Sequence, residues 1–380
     1  RSFTRKQLDE ITAIKQRHAR TCLIPSASLR VNPRQSSCHD LLLKETLPGL
    51  VSILIPFRDR VELTKICVQS LQTNASDSVP FEIILIDNGS EEDCTKTWIQ
   101  EITQSTHIHC LRIDEPFNFS RLNNLARKAC NGVHLLFLNN DIEFLSSNIL
   151  NQLLDPFAHP GTAAVGARLL YPDRSIQHQG VVIIKGERRC VLEPGKHLHQ
   201  PEVIDSLIPL KVQEEFSAAS AACLLVKADR FDAIGGFNEE LAVVFNDVDL
   251  CLRLREDGGH IVVTPHPTII HHESVSRGKD LEGKAWARHQ RESGLLRKNH
   301  AALYAHGDPL TSPHLHHHSN RYEPAPPPPS AIGPVREQVL YSWQRSTKGS
   351  DSRPVLIFAQ YSDEPSNSIR TDVLALLKIY

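Results

Sequence analysis

Short apolar runs alternate with amphipathic segments in the first half of the chain. Three runs rich in leucine and β-branched residues, typical of buried strands, lie at residues 51–56, 81–86 and 134–138. Between them, apolar residues recur every three or four positions over residues 63–71 and 120–130, which predicts two helices. This order of elements predicts βαβ units, and hence an α/β fold with a mostly parallel sheet flanked by helices.

The second half of the chain contains further apolar segments around a polar motif. Residues 163–184 place apolar pairs on either side of the polar run Gln177–Gly180, and another apolar run covers residues 218–227. A strand is predicted at residues 261–264, and a helix is predicted to begin at Asn246 because leucines follow it. No internal repeat accompanies these segments.

We expect one domain at residues 48–305, between two regions of different character. Residues 1–47 predict an N-terminal helical extension, because a capping-box pattern precedes apolar residues at helical spacing. Residues 306–352 are rich in Pro, Ser and His and predict a stiff, extended linker. In residues 353–380 an apolar run is followed by a helical pattern. This order predicts the start of a second α/β domain that is cut short.

Composition and charge narrow the class of protein. The 380 residues include 42 Lys+Arg and 44 Asp+Glu, and a formal net charge of −2 gives no overall field that attracts nucleic acid. No apolar stretch approaches the ~20 residues that cross a bilayer. The nine cysteines form no CxxC pair, which argues against a disulfide framework or zinc knuckle and indicates a reducing, cytoplasmic compartment. The absence of Met predicts an internal segment of a longer protein, or a sequence from which Met positions are missing.

Each of the three predicted strands ends in a polar cluster. The clusters are Arg58-Asp59, Asp87-Asn88 and Asn139–Asp141, and parallel sheets bind ligands at the carboxyl ends of their strands. Asp141 either forms a turn or binds Mg²⁺ or Mn²⁺, which favour one or two carboxylates plus substrate phosphates. Asp87 either starts a turn or accepts a hydrogen bond from a base or ribose. No GxGxxG or P-loop pattern follows these strands, which argues against a dinucleotide or P-loop site.

Acidic and histidine residues mark the remaining candidate positions. Asp59 and Glu62 are placed as a capping box for the first helix. The segment Asn246–Asp249 has two interpretations. It either caps a helix, or it brings one carboxylate to a cleft while the other bonds locally or pairs with Arg253. The two carboxylates would act separately because residues i and i+2 of a helix do not face each other. His271-His272 follows an apolar strand, and is either structural or adds an imidazole to a metal site begun at the third strand.

Seven segments, in this order, resemble the inverting family 2 glycosyltransferases with the GT-A fold. The similarity is greatest to bacterial enzymes of O-antigen and cell-surface polysaccharide synthesis, and it runs from about residue 51 to residue 278. The matching segments are Ser52–Arg58, Ile84–Ser90, Phe117–Asn124, Leu136–Asp141, Gly235–Glu240, Asn246–Leu250 and His271–Gly278. The resemblance implies a GT-A-type mixed, mostly parallel sheet.

The resemblance also implies roles for individual residues. Asp247 matches the general base that takes the proton from the acceptor hydroxyl. Asp141 matches the last acid of the DxD motif, which holds Mn²⁺ or Mg²⁺, and His271 (less closely His272) matches a histidine that some members add to this site. The residues implied to bind the nucleotide sugar are Pro56, Arg58, Asp87, Arg121, Asn124, Asn139 and Asn140. The sequence departs from the family where Asn139 and Asn246 replace carboxylates.

The implied partners are a nucleotide-sugar donor, most simply a UDP- or dTDP-sugar, and a saccharide or lipid-linked acceptor. We expect the acceptor near residues 177–180 and 218–223, and a cytoplasmic protein with peripheral contact to the inner face of the membrane. Two alternatives stay open. A sugar nucleotidyltransferase would want a Gly-rich basic loop after the first strand, where Phe57–Arg60 carries charge without Gly. A catalytically inactive binding or scaffold domain would not need the acids at positions 141 and 247.

Overall fold

A large mixed sheet organises the part of the chain that the structure describes. This computed structural model describes residues 47–75, 78–184, 190–194, 196–197, 212–272 and 283–311, with residue 320 and the pairs 343–344 and 355–356. In chain order, the strands are β1 (Leu47–Phe57), β2 (Phe81–Asp87), β3 (Ile108–Arg112), β4 (Gly132–Leu138), β5 (Ile142–Phe144), β6 (Thr162–Ala167), β7 (Leu169–Leu170), β8 (Ile176–His178), β9 (Val182–Ile183), β10 (Val191–Leu192), β11 (Glu214–Phe216), β12 (Cys223–Lys227), β13 (His260–Thr264), β14 (Ile269–His271), β15 (Trp343–Gln344) and β16 (Val355–Leu356).

Helices follow the strands in the order that a βαβ pattern predicts. They are α1 (Val61–Asn74), α2 (Asp93–Ile102), α3 (Phe119–Arg127), α4 (Ile149–Leu154), α5 (Ala228–Ala233), α6 (Asn246–Glu256), α7 (Gly283–Asn299) and α8 (Ala301–His306), with a 3₁₀ turn at Asp155–Ala158. None of the helices in the described ranges combines the length and apolarity needed to cross a bilayer.

The main sheet has eight strands in the order β11-β13-β6-β12-β4-β1-β2-β3. Strands β4, β1, β2 and β3 pair in parallel, as do β13 and β6. Strand β12 runs antiparallel to both β4 and β6, and β11 runs antiparallel to β13. The predicted α/β fold with a mixed, mostly parallel sheet is therefore confirmed.

Both faces of this sheet are covered, which explains the continuous apolar runs of its strands. In β1, Leu54 packs into the core beneath α3, α5 and α6, while Ile53 and Ile55 pack into a second core with α1, α2 and α4. In β2, Ile84 and Ile83 divide between the two cores in the same way. Successive side chains of a strand point to opposite faces, so a strand buried on both sides needs an apolar residue at every position.

A small second sheet lies beside the carboxyl end of β4 and assembles residues distant in the chain. Its strand order is β5-β14-β7-β8. Strands β5 and β14 are antiparallel, with Ile142 opposite His271, and β7 pairs antiparallel with β8, which carries Gln177. The residue that follows β4, the end of β14 and the middle of β8 therefore come together.

A buried ion pair ties α3 to α5 behind the main sheet. Arg127, whose side chain is 1% exposed, donates from Nε and Nη2 to the two carboxylate oxygens of Asp232 at 2.9 and 2.6 Å. Its Nη1 donates to the Cys130 carbonyl at 3.2 Å. This bidentate geometry satisfies the charge that burial would otherwise leave unpaired.

The first helix begins differently from the prediction. The N-cap of α1 is Arg60, in a left-handed conformation, and no side chain caps the helix, so the predicted Asp59–Glu62 capping box is wrong. The Asp59 carboxylate instead accepts the N–H groups of Glu91 and Glu92 at 2.8 and 3.0 Å, just before α2. Asp59 thus helps to begin the following helix instead of its own.

The predictions for both ends of the chain fall mostly outside the described residues. This holds for the helical extension at residues 1–47 apart from Leu47, for most of the linker at residues 306–352, and for the domain start at residues 353–380. Within the last two regions the structure describes the antiparallel pair β15–β16, with Trp343 opposite Leu356.

Candidate active site

The site is built around the turn that follows β4. The backbone N–H of Asn139 donates to the Ala222 carbonyl at 3.0 Å. The Asn140 side chain turns to α1, where its Nδ2 donates to Thr64 Oγ1 at 3.1 Å. Asp141 ends the turn with only 6% of its surface exposed. The two asparagines thus hold the turn in place and present one carboxylate.

Asp141 faces a histidine that the second sheet delivers. Its Oδ1 lies 3.0 Å from His271 Nε2, and Asn139 Nδ2 lies 3.4 Å from the same nitrogen. On the other side of the ring, His271 Nδ1 lies 2.6 Å from Gln177 Oε1. Because an amide oxygen only accepts hydrogen bonds, Nδ1 donates to Gln177 in this contact, and Nε2 is the ring nitrogen that faces Asp141.

This pair fits a divalent cation. Adjacent ligands of an octahedral ion with bonds of about 2.1 Å lie about 3.0 Å apart, which matches the separation of Asp141 Oδ1 and His271 Nε2. Gln177 supplies the outer hydrogen bond that orients a metal-binding imidazole. In the described part of the chain, no group of three or more His, Cys, Asp or Glu side chains is placed to hold a metal. Two protein ligands suit an ion whose other positions are filled by phosphate and water.

His272 faces away from this pair. Its Nε2 lies 2.9 Å from Glu143 Oε2, while its backbone N–H donates to the Asp141 carbonyl at 2.9 Å. The second histidine therefore braces the strand pairing behind Asp141.

Asp247 lies in the first turn of α6 and is partly exposed. Its Oδ2 accepts the Ala221 N–H at 3.1 Å and its Oδ1 accepts the Val248 N–H at 2.9 Å. Burial raises the pKa of this carboxyl above its ordinary value, and the two hydrogen bonds act in the opposite direction. A carboxylate that holds a proton more readily than usual is better suited to act as a base.

One loop connects Asp247 to the turn after β4. The Ala221 N–H binds the Asp247 carboxylate, and the carbonyl of the next residue, Ala222, accepts the Asn139 N–H. Two hydrogen bonds and a span of two residues place the Asp247 carboxylate within about 13 Å of the Asn139 backbone. The Asp247 carboxylate and the turn that carries Asp141 are therefore hydrogen-bonded to the same short loop.

A histidine and a glutamate support this loop. The Ser220 N–H donates to His178 Nε2 at 3.1 Å, and His178 Nδ1 faces Glu193 Oε1 at 3.5 Å. Burial alone would raise the pKa of Glu193, but His178 and Lys196 outweigh it and lower the pKa to about 2. Glu193 also acts electrostatically on Asp247, where its negative charge raises the pKa of that carboxyl.

Asp249 has a different environment from Asp247. Arg253 Nε donates to its Oδ2 at 2.8 Å, which confirms the predicted pairing of one acid with Arg253. His300 Nε2 lies 3.0 Å from Asp249 Oδ1, and His300 Nδ1 lies 3.0 Å from Glu256 Oε1. Burial raises the pKa of Asp249, but the bonds to His300 and Arg253 outweigh it, so the net shift is downward. Asp249 thus fastens α6 to the residues around His300.

A cleft of about 650 Å³ opens beside this second acid. Its lining includes the loop at residues 234–240, with Asp249, Arg253 and His300, but neither Asp141 nor Asp247. This cleft is distinct from the site at the carboxyl end of β4.

The residues predicted to bind the nucleotide lie at the ends of β1 and β2. Pro56 is buried in β1, and Arg58 is exposed, with Nη2 3.8 Å from Glu91 Oε1. Asp87 is buried at the end of β2, where its Oδ1 accepts the Ser90 N–H at 2.8 Å and its Oδ2 pairs with Arg112 at 2.7 Å. Each oxygen keeps a further acceptor position, and the assignment of these residues to a nucleotide stays a prediction.

Arg121 and Asn124 contact the loop that follows α5. Arg121 pairs through Nε with Glu115 at 2.6 Å and through Nη1 with Glu239 at 3.2 Å. Asn124 Nδ2 donates to the Phe237 carbonyl at 2.9 Å, and its Oδ1 accepts the Phe237 N–H at 2.9 Å. These contacts fix the Gly-Gly-Phe loop, and a role of either residue at a diphosphate stays a prediction.

Sequence reasoning did not identify Gln177, His178 or Glu292 as supports of the site. Glu292, fully buried on α7, accepts the N–H groups of Val243 and Val244 at 3.1 and 2.8 Å, just before Asp247. The polar run around Gln177 was the one signal, because polar residues stand out inside an apolar segment. A lone glutamate in the polar helix α7 gives no such signal.

Comparison with known proteins identifies the family. Residues 52–203 match the model of glycosyl transferase family 2. The uncharacterized protein y4gI of Sinorhizobium fredii is 39% identical over 268 residues, which are 70% of this chain and 29% of that protein. The O-antigen biosynthesis protein RfbC of Myxococcus xanthus is 33% identical over 268 residues, which are 70% of this chain and 20% of that protein.

A third relative is shorter. The N-acetylglucosaminyl-diphospho-decaprenol L-rhamnosyltransferase of Mycobacterium tuberculosis is 28% identical over 175 residues, which are 45% of this chain and 57% of that protein. The mixed sheet with helices on both faces agrees with the α/β fold that the resemblance to this family implies. Residues 52–203 form a glycosyl transferase family 2 domain, and the chain spans less than a third of the length of the two relatives that it matches over 268 residues.

Proposed function

We propose that residues 48–305 form an inverting glycosyltransferase domain that moves a sugar from a nucleoside diphosphate to an acceptor hydroxyl during surface polysaccharide synthesis. The family assignment supports transfer of a glycosyl group. The names of two relatives, one an O-antigen biosynthesis protein and one a rhamnosyltransferase acting on a diphospho-decaprenol sugar, support a saccharide or lipid-linked acceptor.

One observation carries this proposal. The loop at residues 220–222 bonds to both the Asp247 carboxylate and the Asn139 backbone, which supports a shared site for this partly exposed carboxylate and the Asp141–His271 pair. A donor held by its diphosphate near Asp141 would extend its sugar toward Asp247. This is the arrangement that an in-line displacement requires.

In this proposal Asp247 is the general base. The acceptor oxygen attacks the anomeric carbon as its proton passes to an Asp247 oxygen, and the bond from the anomeric carbon to the diphosphate oxygen breaks. The nucleoside diphosphate leaves with the bonding electron pair. A single displacement with one base inverts the anomeric centre, whereas a retaining route forms a covalent intermediate on a second carboxylate.

Asp141 and His271 are the residues that would hold Mn²⁺ or Mg²⁺, with Gln177 orienting the imidazole. A divalent cation here supplies positive charge that stabilises the leaving diphosphate. Asn139 and Asn140 keep the turn in position without adding negative charge against the phosphates.

We assign the nucleotide to the adjoining ends of β1 and β2. Asp87 is held by Ser90 and Arg112 and presents its remaining acceptor positions to a base or ribose. Pro56 and Arg58 border the same edge, and Arg121 with Asn124 would approach the diphosphate. We place the enzyme in the cytoplasm, at the inner membrane face where a lipid-linked acceptor would lie.

A thermal-shift panel tests the proposal. UDP-, dTDP- and GDP-sugars are titrated with and without Mn²⁺, because a ligand that binds only the folded protein raises its melting temperature. We expect one nucleotide class to stabilise the protein, more strongly with Mn²⁺, and its sugar to be released slowly to water. Pyrophosphate release from a nucleoside triphosphate would indicate a nucleotidyltransferase instead. Binding without any hydrolysis or transfer would indicate an inactive scaffold.

A further inference from the structure

Gln179 is a fully buried amide whose two polar atoms have no hydrogen-bond partner among the residues that the structure describes. It lies in the polar run at residues 177–180 and is 0% exposed. Neither its Oε1 nor its Nε2 makes a hydrogen bond with any residue in the described ranges. Its neighbours differ, because Gln177 bonds to His271 and His178 bonds to the Ser220 N–H.

An amide buried in this way lowers the stability of the folded protein. Burying a donor and an acceptor without hydrogen bonds loses the free energy of their hydration, whereas an apolar side chain of similar shape loses none. Most buried polar groups in native proteins are bonded, so each exception needs a physical reason. A ligand that forms hydrogen bonds with the amide would be such a reason.

Residues on either side of Gln179 in the chain make contacts that lead to the Asp141–His271 pair and to Asp247. Two residues before it, Gln177 orients His271, which faces Asp141. Two residues after it, Val181 pairs with Ala218 through hydrogen bonds of 2.8 and 3.1 Å. From Ala218 the chain runs on to the loop whose Ala221 N–H binds the Asp247 carboxylate. Gln179 therefore lies in the segment of chain that joins a support of the metal-binding pair to the strand contact leading toward the base.

The backbone at Gln179 is also fixed. Gly180 has φ of +125°, a conformation that side-chain-bearing residues rarely adopt. A Cβ at this position would collide with the ring of Phe216. Only glycine permits this close approach, so the backbone that follows Gln179 is held against Phe216.

We propose that the Gln179 amide forms hydrogen bonds with a hydroxyl group of the donor sugar, an inference that rests on the proposed function. In an in-line displacement the donor sugar lies between its diphosphate and the attacking oxygen, and the proposal places the sugar against the Gln179 amide. A sugar hydroxyl both donates and accepts, and the amide offers Oε1 as acceptor and Nε2 as donor. Gln179 is then a specificity-determining residue for the sugar and not for the nucleotide.

The test compares Gln179→Met, which keeps the length of the side chain and removes its polar atoms, with the wild-type protein. Calorimetry measures binding of UDP, dTDP, UDP-glucose, UDP-galactose, UDP-N-acetylglucosamine and dTDP-rhamnose in the presence of Mn²⁺. We expect unchanged affinity for the free nucleotide, at least ~10-fold weaker binding of the preferred nucleotide sugar, and a melting temperature of the free protein that is equal or higher. Gln152→Met, which removes another buried unpartnered amide oxygen on α4, is the matched control and should leave both affinities unchanged.

The outcomes separate this inference from the proposed function. If the wild-type protein binds none of the nucleotides and sugars, both are overturned. If it binds a nucleotide sugar and Gln179→Met binds that sugar equally well, the inference alone is overturned. A Gln179→Met protein that melts at a lower temperature or loses the free nucleotide also overturns it, since the amide would then be structural.

Discussion

Asp141 Oδ1 and His271 Nε2 lie 3.0 Å apart because β5 and β14 pair antiparallel, with Ile142 opposite His271. The imidazole is fixed from its other side by Gln177, so the ring cannot turn away without losing a hydrogen bond of 2.6 Å. Three separate strands thus prepare one carboxylate and one ring nitrogen for the same ligand. Such preorganisation lowers the entropic cost of binding.

Replacing Asp141 should remove the metal dependence of donor binding. We expect Asp141→Ala to bind the nucleotide sugar more weakly and to show no difference between Mn²⁺ and a chelator in calorimetric titrations. Glu143→Gln is the control, because Glu143 lies on β5 but pairs with His272 at 2.9 Å. An Asp141→Ala protein that keeps the full Mn²⁺ effect would show that the cation binds elsewhere.

Replacing Asp247 should separate chemistry from binding. Asp247→Asn keeps the shape of the side chain and removes the base, so the rate of transfer should fall ~10²–10⁴-fold while nucleotide affinity stays nearly unchanged. Steady-state kinetics and calorimetry measure the two quantities.

Asp249→Asn is the matched control for this variant, since Asp249 lies on the same helix and is bonded to His300 and Arg253. We expect it to lower the free energy of unfolding by about 1–3 kcal/mol and to leave the catalytic rate of the folded protein largely intact. Equal losses of rate in the two variants would argue against a distinct role for Asp247.

The pH profile should show the effect of a general base with a raised pKa. The pKa of Asp247 is raised by burial, and the base works only when it is deprotonated. Transfer should therefore be lost as the pH falls through this raised pKa, above the value of ~3.9 for an ordinary aspartate. Because the negative charge of Glu193 raises the pKa of Asp247, Glu193→Gln should move this acid limb to lower pH. An acid limb at or below ~3.9 in the wild type would contradict the assignment.

The buried ion pair of Arg127 and Asp232 should contribute more to the free energy of unfolding than an exposed pair does. Arg127→Met leaves Asp232 buried without its partner and should lower the free energy of unfolding by about 3–5 kcal/mol. Arg230→Met breaks the more exposed pair with Asp257 on the same side of the molecule and should cost no more than about 1 kcal/mol. Urea titrations compare the two, and similar losses would show that burial does not set the difference.

The strands that carry the site were predictable because they are buried on both faces. The apolar runs at residues 51–56, 81–86 and 134–138 correspond to β1, β2 and β4, and their polar ends follow directly from the sequence. Strand β3 was not predicted, because Ile108–Arg112 lies at the edge of the sheet and alternates apolar with polar residues. Helix α2 was also missed, since its buried side consists mainly of Thr95 and Trp98.

The residues that hold the site in place were harder to predict from the sequence. The partner of His271 at Nδ1 is Gln177, and the partner of the loop before Asp247 is Glu292. Neither pair has a characteristic spacing, because each joins elements that are far apart in the chain. Asp59 was predicted to cap its own helix, but its carboxylate accepts the N–H groups of Glu91 and Glu92 instead. Here too, a tertiary contact overrides a local sequence pattern.

Anomalous diffraction at the manganese edge can locate the cation and the donor together, in crystals of Asp247→Asn with Mn²⁺ and the nucleotide sugar that stabilises the protein most. We expect one strong peak within about 2.2 Å of both Asp141 Oδ1 and His271 Nε2, with the anomeric carbon of the donor facing residue 247. A peak remote from Asp141, or a donor sugar that points away from residue 247, would contradict this expectation.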